Sequence, residues 1–228
     1  MNPRLPTILD ELFPDWLPEF ANIADAWPDH VVEEMLTLVW EGFDRMKALP
    51  RFSELDFRGD YAQIERSLTD LHMDEITILW REKCNRFESF IPKHEPWEFQ
   101  SLATRSARPP SCDLGFVLVS NRRMRWSIEA KIVSSPKAIH EYLGDLRKYL
   151  DGLTSPFSME AALGAYLVAG NATDMLRAIE LALKIDVRQH AKFPGRPHGL
   201  TSHQRSAAKL PAGMPGEFLC HHLVFSLS

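Results

Sequence analysis

Apolar residues at helical spacing mark two segments in the first part of the chain. The first predicted helix runs from Asp29 or His30 to about Leu49, and Pro50 stops it because proline lacks a backbone donor and clashes with the preceding turn. The second helical stretch is predicted from Asp60 to about Phe90, in one or two pieces. Four residues supply the apolar face of the first helix: Val32, Met35, Leu36 and Trp40.

Further along, two apolar runs at residues 114–119 and 126–133 flank a short polar segment. Apolar runs joined by such a link predict a β-hairpin. Side chains alternate between the faces of a strand, so Glu129 and Lys131 are predicted to lie side by side on one face of the second strand. Asp113 enters the same hairpin from the other strand.

A helix is predicted after this hairpin. Ser135 as N-cap and Pro136 at the first helical position are a start signal, and Gly152 is a stop signal. The predicted apolar stripe of this helix has five members at helical spacing: Ile139, Leu143, Leu146, Leu150 and Leu153.

The remaining segments alternate between strand and helix. Residues 161–170 are predicted to form a buried strand, residues 171–185 a helix and residues 218–227 a closing strand, while residues 90–99 include a short strand. The basic segment 187–214 is the least apolar and is predicted to be a long loop. This order of elements predicts an α/β protein and excludes an all-β architecture or a simple helical bundle.

Composition is ordinary for a globular protein, with 45% hydrophobic and 25% charged residues among 228. The net charge of −5 argues mildly against a nucleic-acid partner, but the charge is unevenly distributed. Residues 1–120 carry 12 Lys and Arg against 22 Asp and Glu, whereas residues 121–228 carry 14 against 9. Binding of phosphate depends on local charge, so the basic second half, which holds most of the candidate site, is the better guide.

The expected location is the cytoplasm. The three cysteines Cys84, Cys112 and Cys220 are scattered and odd in number, which indicates buried thiols in a reducing compartment. No apolar run approaches the length of a membrane span, and the start of the chain lacks a signal-type apolar core. We therefore expect no contact with a membrane.

Asp113, Glu129 and Lys131 are suited to hydrolysing a phosphodiester. Charged residues in a strand otherwise fit for burial are costly unless they are paired or bind a metal. The two carboxylates would hold Mg²⁺, with Mn²⁺ as the alternative ion, and the metal would polarise the phosphate and acidify a bound water. Lys131 would orient that water or stabilise charge on phosphorus. The competing interpretation is a surface pair of Glu129 and Lys131, since antiparallel sheets often have one polar face.

The three residues resemble the signature of the PD-(D/E)xK nuclease superfamily, which has the restriction-endonuclease-like fold. The signature here reads Cys112-Asp113 and then Glu129-Ala130-Lys131, with cysteine where the family name has proline. The resemblance implies a mixed central sheet flanked by helices in residues 58–228, and residues 1–57 are then an acidic helical extension. It also implies a Mg²⁺-dependent endonuclease acting on nucleic acid, DNA in preference to RNA. Restriction, phage defence or DNA processing follow only as an analogy at the level of fold.

The resemblance implies further site residues. Many members open with a helix that contributes another acid to the metal site, and Glu65 resembles that residue. In RecB-type relatives the helix after the signature strand carries a Gln-x-x-x-Tyr pair, and Asp145 and Tyr149 occupy that place, with Asp instead of Gln. Lys148 is a candidate for contacting backbone phosphates, with a solvated helix face as the alternative. Three other glutamates compete with Glu65: Glu75, Glu82 and Glu88.

The basic segment 187–214 is a candidate substrate-binding loop, because phosphate contacts position a nucleic acid without reading its sequence. His203 and Arg205 are the preferred pair in this segment. Zinc binding by Cys220-His221-His222 is disfavoured, since the two histidines point to opposite faces of a strand and no second ligand pair has finger-like spacing.

A second function remains open from the sequence. A catalytically inactive module of the same fold would bind nucleic acid or dock a partner protein, and the acidic, tryptophan-bearing residues 1–57 would be the interface for that partner or for a second subunit. The presence of Asp113, Glu129 and Lys131 together favours the enzyme. Cutting both strands of DNA with this fold usually requires two sites, which predicts a homodimer.

Overall fold

The computed structural model describes residues 27–57, 59–83, 89–96, 111–122, 124–206, 210 and 216–227. Within these residues four α-helices flank one seven-stranded sheet. The helices are α1 (Asp29–Lys47), α2 (Tyr61–Lys83), α3 (His140–Leu150) and α4 (Ala172–Leu183), with a 3₁₀ helix at Pro50–Glu54. The strands are β1 (Phe90–His94), β2 (Leu114–Leu118), β3 (Arg125–Val133), β4 (Glu160–Leu167), β5 (Arg188–Gln189), β6 (His198–Gln204) and β7 (Glu217–Ser226).

The sheet is mixed, with the order β1-β2-β3-β4-β7-β6-β5. Its centre is parallel, because β3 pairs with β4 and β4 with β7 in the same direction. The flanking pairs on both sides are antiparallel. Parallel neighbours need a crossover connection, which α3 supplies between β3 and β4. The predicted α/β class with a mixed, helix-flanked sheet is therefore confirmed. None of the described helices has the length and apolarity to cross a membrane.

The strongly periodic elements lie where the sequence predicts them. The helix α1 begins at Asp29, and its four predicted apolar residues are buried. The hairpin of β2 and β3, the buried strand β4, the helix α4 and the closing strand β7 are also confirmed. The helix α2 is a single piece in its described part, and Phe90 opens β1, so the prediction that this helical stretch reaches Phe90 is wrong.

One face of the sheet shares its core with α1 and α2. Phe225 on β7 contacts the rings of Trp40, Phe43, His72 and Tyr166, at centroid distances of 5.0, 4.9, 5.1 and 5.3 Å. The helix α1 thus packs in the same core as the strands of residues 58–228, which the sequence predicts to be a separate domain. The division of the chain at residue 57 remains a prediction, and residues 1–26 lie outside the described part.

A buried histidine ties three elements of this core together. The Nε2 atom of His72 donates to the Val39 carbonyl at 2.8 Å, so its Nδ1 atom accepts from the Tyr166 hydroxyl at 2.8 Å. Burial lowers the pKa of His72 to about 4, although the bond to Val39 acts in the opposite direction. The ring is therefore neutral at pH 7 and links α1, α2 and β4 without bringing a charge into the core.

The helix α3 differs from its prediction at its start and in its buried face. It begins at His140, because residues 134–137 form turns, the Ala138 amide donates to the Ser135 carbonyl at 2.9 Å, and Pro136 packs against Gly170. The predicted start at Ser135 is therefore wrong. Leu143 and Leu150 are half-buried and Leu153 is exposed. The buried face consists of Tyr142, Asp145, Leu146 and Tyr149.

Hydrogen bonds to β4 set this orientation of α3. The Tyr142 hydroxyl donates to the Leu163 carbonyl and the Tyr149 hydroxyl to the Ala162 carbonyl, each at 3.1 Å. Buried tyrosine hydroxyls need such partners, so the two tyrosines turn inward in place of the leucines.

The long loop predicted for residues 187–214 is also wrong within the described residues. The strands β5 and β6 lie in this segment, and β6 pairs with β7 along its whole length. Polar side chains of β6 find partners within the sheet: the Thr201 hydroxyl lies 2.7 Å from His203 Nε2 and 2.8 Å from His222 Nε2 on β7. Low apolarity therefore does not indicate a loop here. The predicted buried thiols are confirmed for Cys112 and Cys220.

We expect Phe225→Ala to lower the free energy of unfolding by about 3–5 kcal/mol, because a buried ring contacted by four others leaves a cavity when it is truncated. Urea denaturation followed by tryptophan fluorescence and circular dichroism measures this loss. Leu181→Ala on α4, where the leucine is 69% exposed, is the control and should change the value by less than about 0.5 kcal/mol.

Candidate active site

The candidate site forms where β2 separates from β3. Pairing between the two strands ends with Leu114 opposite Ile128, while on its other edge β3 stays paired with β4 as far as Val133. The N–H groups of Ala130 and Ile132 therefore face an edge that β2 no longer covers. Buried backbone donors must find partners, so this edge requires acceptors from elsewhere in the chain.

Two carboxylates accept these N–H groups. Asp113, which directly precedes β2, accepts from the Ala130 amide at 2.7 Å, and Glu65 on α2 accepts from the Ile132 amide at 3.1 Å. The Asp113 carbonyl in turn accepts from the Glu95 amide just after β1, at 3.1 Å. The end of strand pairing thereby positions two acids beside the signature strand.

Lys131 lies among three acids. Its Nζ atom is 2.9 Å from Glu65 Oε1 and 3.8 Å from Asp145 Oδ2 on α3. Burial alone lowers the pKa of Lys131, but the hydrogen bond with Glu65 and the charges of Asp113 and Asp145 more than offset it, so the pKa is raised. The ammonium is therefore charged at neutral pH and is held in place from the α2 side.

Glu129 is the most buried carboxylate of the site, with 3% of the residue exposed. Its Oε2 atom is 3.6 Å from Lys148 Nζ, and its Oε1 atom has no hydrogen-bond partner among the described residues. Burial first, and then the charge of Asp113, raise the pKa of Glu129 to about 8, against the opposing charge of Lys148. Burial also raises the pKa of Asp113, while the Ala130 amide and Lys131 oppose that rise.

The helix α3 closes the site with three side chains. Lys148 is partly exposed and lies 2.7 Å from Asp145 Oδ1. Burial lowers the pKa of Lys148, but its bond to Asp145 and the charge of Glu129 raise it overall. Tyr149 is fully buried, where its hydroxyl accepts from the Glu129 amide at 3.1 Å and bonds to Ala162 on β4. Tyr149 therefore supports the strand that carries Glu129 from beneath the site.

Among the upstream acids, the structure brings Glu65 to the signature residues. Glu75 and Glu82 instead bind Arg45 on α1, at 3.1 and 2.7 Å, and Glu88 lies outside the described residues. Asp145, which stands where the resemblance has Gln, lies between Lys131 and Lys148 and belongs to the same cluster. The inward turn of α3 buries Asp145 and brings it to this cluster.

His203 and Arg205 lie elsewhere. They belong to β6 and its end, which is three strands, or about 14 Å, from β3 in the sheet. Arg205 is buried over the Phe218 ring at 4.8 Å and donates to the Ser155 carbonyl at 3.4 Å, and burial lowers its pKa to about 10. The structure therefore gives both residues contacts within the fold and does not bring them to the carboxylates.

Glu65 has no free oxygen for a metal ion, whereas one buried oxygen each of Glu129 and Asp145 lacks a hydrogen-bond partner among the described residues. Both oxygens of Glu65 are bonded, to Lys131 and to the Ile132 amide. Within the described part of the chain, the one group of three possible ligand atoms within 4.8 Å of one another is made of histidines and lies outside this site. Asp113 and Glu129, the pair that the resemblance names, could hold an ion such as Mg²⁺, which keeps several waters. We call this pair the two-carboxylate site.

Comparison of the chain with known protein families, curated proteins and solved structures finds no match. The geometry of the site is therefore the basis for its proposed function.

We expect Glu129→Gln to flatten the dependence of stability on pH. The pKa of Glu129 rises from 4.5 in the unfolded chain to about 8 in the fold, so its contribution is complete below pH 4.5 and is lost as the pH rises through 8. Relative to the variant, the wild-type free energy of unfolding should fall by on the order of 1 kcal/mol per pH unit between these values. Urea denaturation without metal measures the difference. Four other charged groups act on Glu129 and are the same in the wild type and the variant: Asp113, Asp145, Lys131 and Lys148.

Glu141→Gln, at an exposed position of α3, is the control for loss of a carboxylate. Equal pH slopes for the wild type and Glu129→Gln would contradict the effect of burial.

Proposed function

We propose that this chain is a metal-dependent nuclease with a restriction-endonuclease-like core, which hydrolyses phosphodiester bonds in DNA in preference to RNA. The observation that carries the proposal is the convergence of Asp113, Glu129 and Lys131 at the point where β2 leaves β3. Three titratable side chains meet there, two from β3 and one from the residue before β2, and the buried Oε1 atom of Glu129 lacks a hydrogen-bond partner within the described residues.

The arrangement of elements supports the proposed core. The signature hairpin of β2 and β3 is followed by α3 and by the parallel strand β4, and α2 supplies a further acid from the other direction. In a surface pair of the kind that competes with this proposal, Glu129 would be exposed, whereas 3% of it is exposed. Burying a carboxyl group without full pairing is costly, and its raised pKa marks that cost, which favours a functional role over a structural one.

The proposed metal ligands are Asp113 and Glu129. The unpaired Oε1 atom of Glu129 supplies a lone pair that the described residues leave unused, and a carboxylate pair is the oxygen donor set that Mg²⁺ or Mn²⁺ takes. A bound ion would polarise a phosphoryl oxygen and lower the pKa of a bound water. The protein itself supplies the position of the two acids and excludes bulk water from Glu129.

Lys131 is the proposed catalytic cation. Its ammonium stays charged and can stabilise negative charge that develops on phosphorus or orient the attacking water. Glu65 holds Lys131 at 2.9 Å and so acts first as a positioning residue. Direct ligation of the metal by Glu65 would exchange one of its two present bonds and remains a prediction.

Lys148 is the proposed contact to substrate phosphate from α3. Its side chain is 44% exposed, and it lies within 3.6 Å of Glu129, so a phosphate bound there would be close to the metal ligands. Three further predictions rest on the sequence alone. They are substrate binding by His203 and Arg205, a homodimer, and docking of a partner protein through residues 1–57.

We expect cleavage of labelled DNA in the presence of Mg²⁺ or Mn²⁺ and none in EDTA. Lys131→Ala should lower the rate by about 10²–10³-fold, as the loss of a group that stabilises transition-state charge does. Asp113→Asn and Glu129→Gln should abolish metal-dependent cleavage. Panels of single- and double-stranded DNA and RNA, followed by gel electrophoresis, measure the rates and identify the substrate.

Lys137→Ala is the matched control, because this lysine is exposed just beyond β3 and should leave cleavage unchanged. Cleavage that survives in Lys131→Ala would contradict the proposed mechanism. No cleavage by wild-type protein, together with no binding of Mg²⁺ or Mn²⁺ in calorimetry, would favour the inactive docking module.

A further inference from the structure

A second cluster of titratable side chains lies in the other half of the sheet. His198 is on β6, His221 is on β7, and His190 directly follows β5. The His190 amide donates to the His198 carbonyl at 3.0 Å, which places these two residues side by side. His198 pairs with Leu223, so His221 is its diagonal neighbour on the same face of the sheet.

The three rings present nitrogen atoms to one another. His198 Nε2 lies 3.0 Å from His221 Nδ1, and each of the three histidines offers a ring nitrogen within 4.8 Å of the others. Ligand nitrogens of a tetrahedral metal site lie about 3.4 Å apart, from metal–nitrogen distances of 2.0–2.1 Å. Small side-chain rotations are therefore enough to bring the three nitrogens around one ion.

Neighbouring groups orient two of these nitrogens. His221 Nε2 lies 2.9 Å from Glu160 Oε2 on β4 and donates its proton to that carboxylate, which leaves Nδ1 with its lone pair toward His198. The Nδ1 atom of His190 accepts from the Lys192 amide at 3.2 Å, so Nε2 carries the proton of the neutral ring, and a metal ion at Nε2 would move that proton to Nδ1 in place of this bond. A carboxylate behind a metal-ligating histidine is a common feature of metal sites, because it fixes the tautomer and makes the ring more basic.

The bonds of His198 show what a metal would replace. Trp40 Nε1 can only donate, so His198 Nδ1 accepts from it at 3.4 Å, and His198 Nε2 then carries the proton that bonds to His221. A metal ion at Nε2 takes the place of that proton, which moves to Nδ1. Metal binding therefore breaks the hydrogen bond from Trp40, which is longer than the usual range of 2.7–3.2 Å for hydrogen bonds of this kind.

Protonation also favours such a site. Burial and then the charges of neighbouring histidines lower the pKa of His198, and burial followed by His221 lowers that of His190. Glu33 and Glu160 raise the pKa of His190, and Lys192 lowers it. Neutral imidazole is the form that binds a metal.

We propose that His190, His198 and His221 form a binding site for a divalent transition metal that favours imidazole ligands, such as Zn²⁺, with Glu160 as the positioning residue of His221. Three nitrogen ligands leave further coordination positions, and His190, which is half-buried, is the ligand nearest solvent. The site differs from the two-carboxylate site in donor type, since oxygen ligands suit Mg²⁺ and imidazole suits Zn²⁺, Ni²⁺ and Cu²⁺. It does not depend on the proposed nuclease function.

Calorimetric titration of the full chain with Zn²⁺ at pH 7.5 tests this site. We expect binding of one ion per chain with a dissociation constant in the micromolar range or tighter, and an increase of Tm with Zn²⁺. Substitution by Co²⁺ should give visible absorption bands typical of low-symmetry nitrogen coordination. His190→Ala should weaken binding at least 10-fold, and Glu160→Gln should weaken it about 10–100-fold.

The control variants separate this site from the rest of the molecule. His140→Ala removes an exposed histidine at the start of α3, and Glu141→Gln removes an exposed carboxylate of the same helix, so both should bind Zn²⁺ as the wild type does. Circular dichroism checks that each variant is folded. Absence of Zn²⁺, Co²⁺ and Ni²⁺ binding by the wild type, or equal affinity in the wild type and in folded His190→Ala and Glu160→Gln, would overturn the proposal and leave a hydrogen-bonded chain of core histidines.

Discussion

The two backbone N–H groups of Ala130 and Ile132 are the constraint on which the candidate active site depends. The strand β2 stops pairing before it reaches them, and Asp113 and Glu65 complete the edge of β3 in its place. The same two carboxylates also lie beside Lys131. The groups that satisfy the main-chain donors are therefore the groups that bring charge to the site. The site is a consequence of where the pairing of β2 with β3 ends.

The opposite faces of the sheet support this edge in different ways. On one face the aromatic cluster around Phe225 anchors α1 and α2, and α2 carries Glu65 to the site. On the other face the tyrosines of α3 bond to β4, and this turns Asp145 and Lys148 toward Glu129. The carboxylate of Glu129 on β3 is thus covered by α3, whose orientation is set by its hydrogen bonds to β4. This explains how the carboxylate stays buried.

Elements with strong apolar periodicity can be predicted from the sequence, and those made of mutually satisfied polar groups cannot. The hairpin, α1, β4, α4 and β7 follow from their patterns. The strand β6 has no such pattern, because much of it is polar. Its residues Thr201 and His203 are satisfied by a hydrogen bond to each other, which only the fold shows. Glu65 is identified through the resemblance and not through its spacing. Asp145 is named through the same resemblance, with Asp in place of Gln. The three clustered histidines require the packing of segments far apart in the chain, which periodicity within one segment does not contain.

The capping of β3 by side chains has a consequence for how the site can be observed. Hydrogen exchange at most amides of a sheet reports the opening of one strand from another. At Ala130 and Ile132 the acceptors are carboxylates, so exchange at these two positions reports the departure of Asp113 and Glu65 from the strand. Two amide hydrogens are therefore intrinsic reporters of the integrity of the site, one for each acid, in the absence of any ligand.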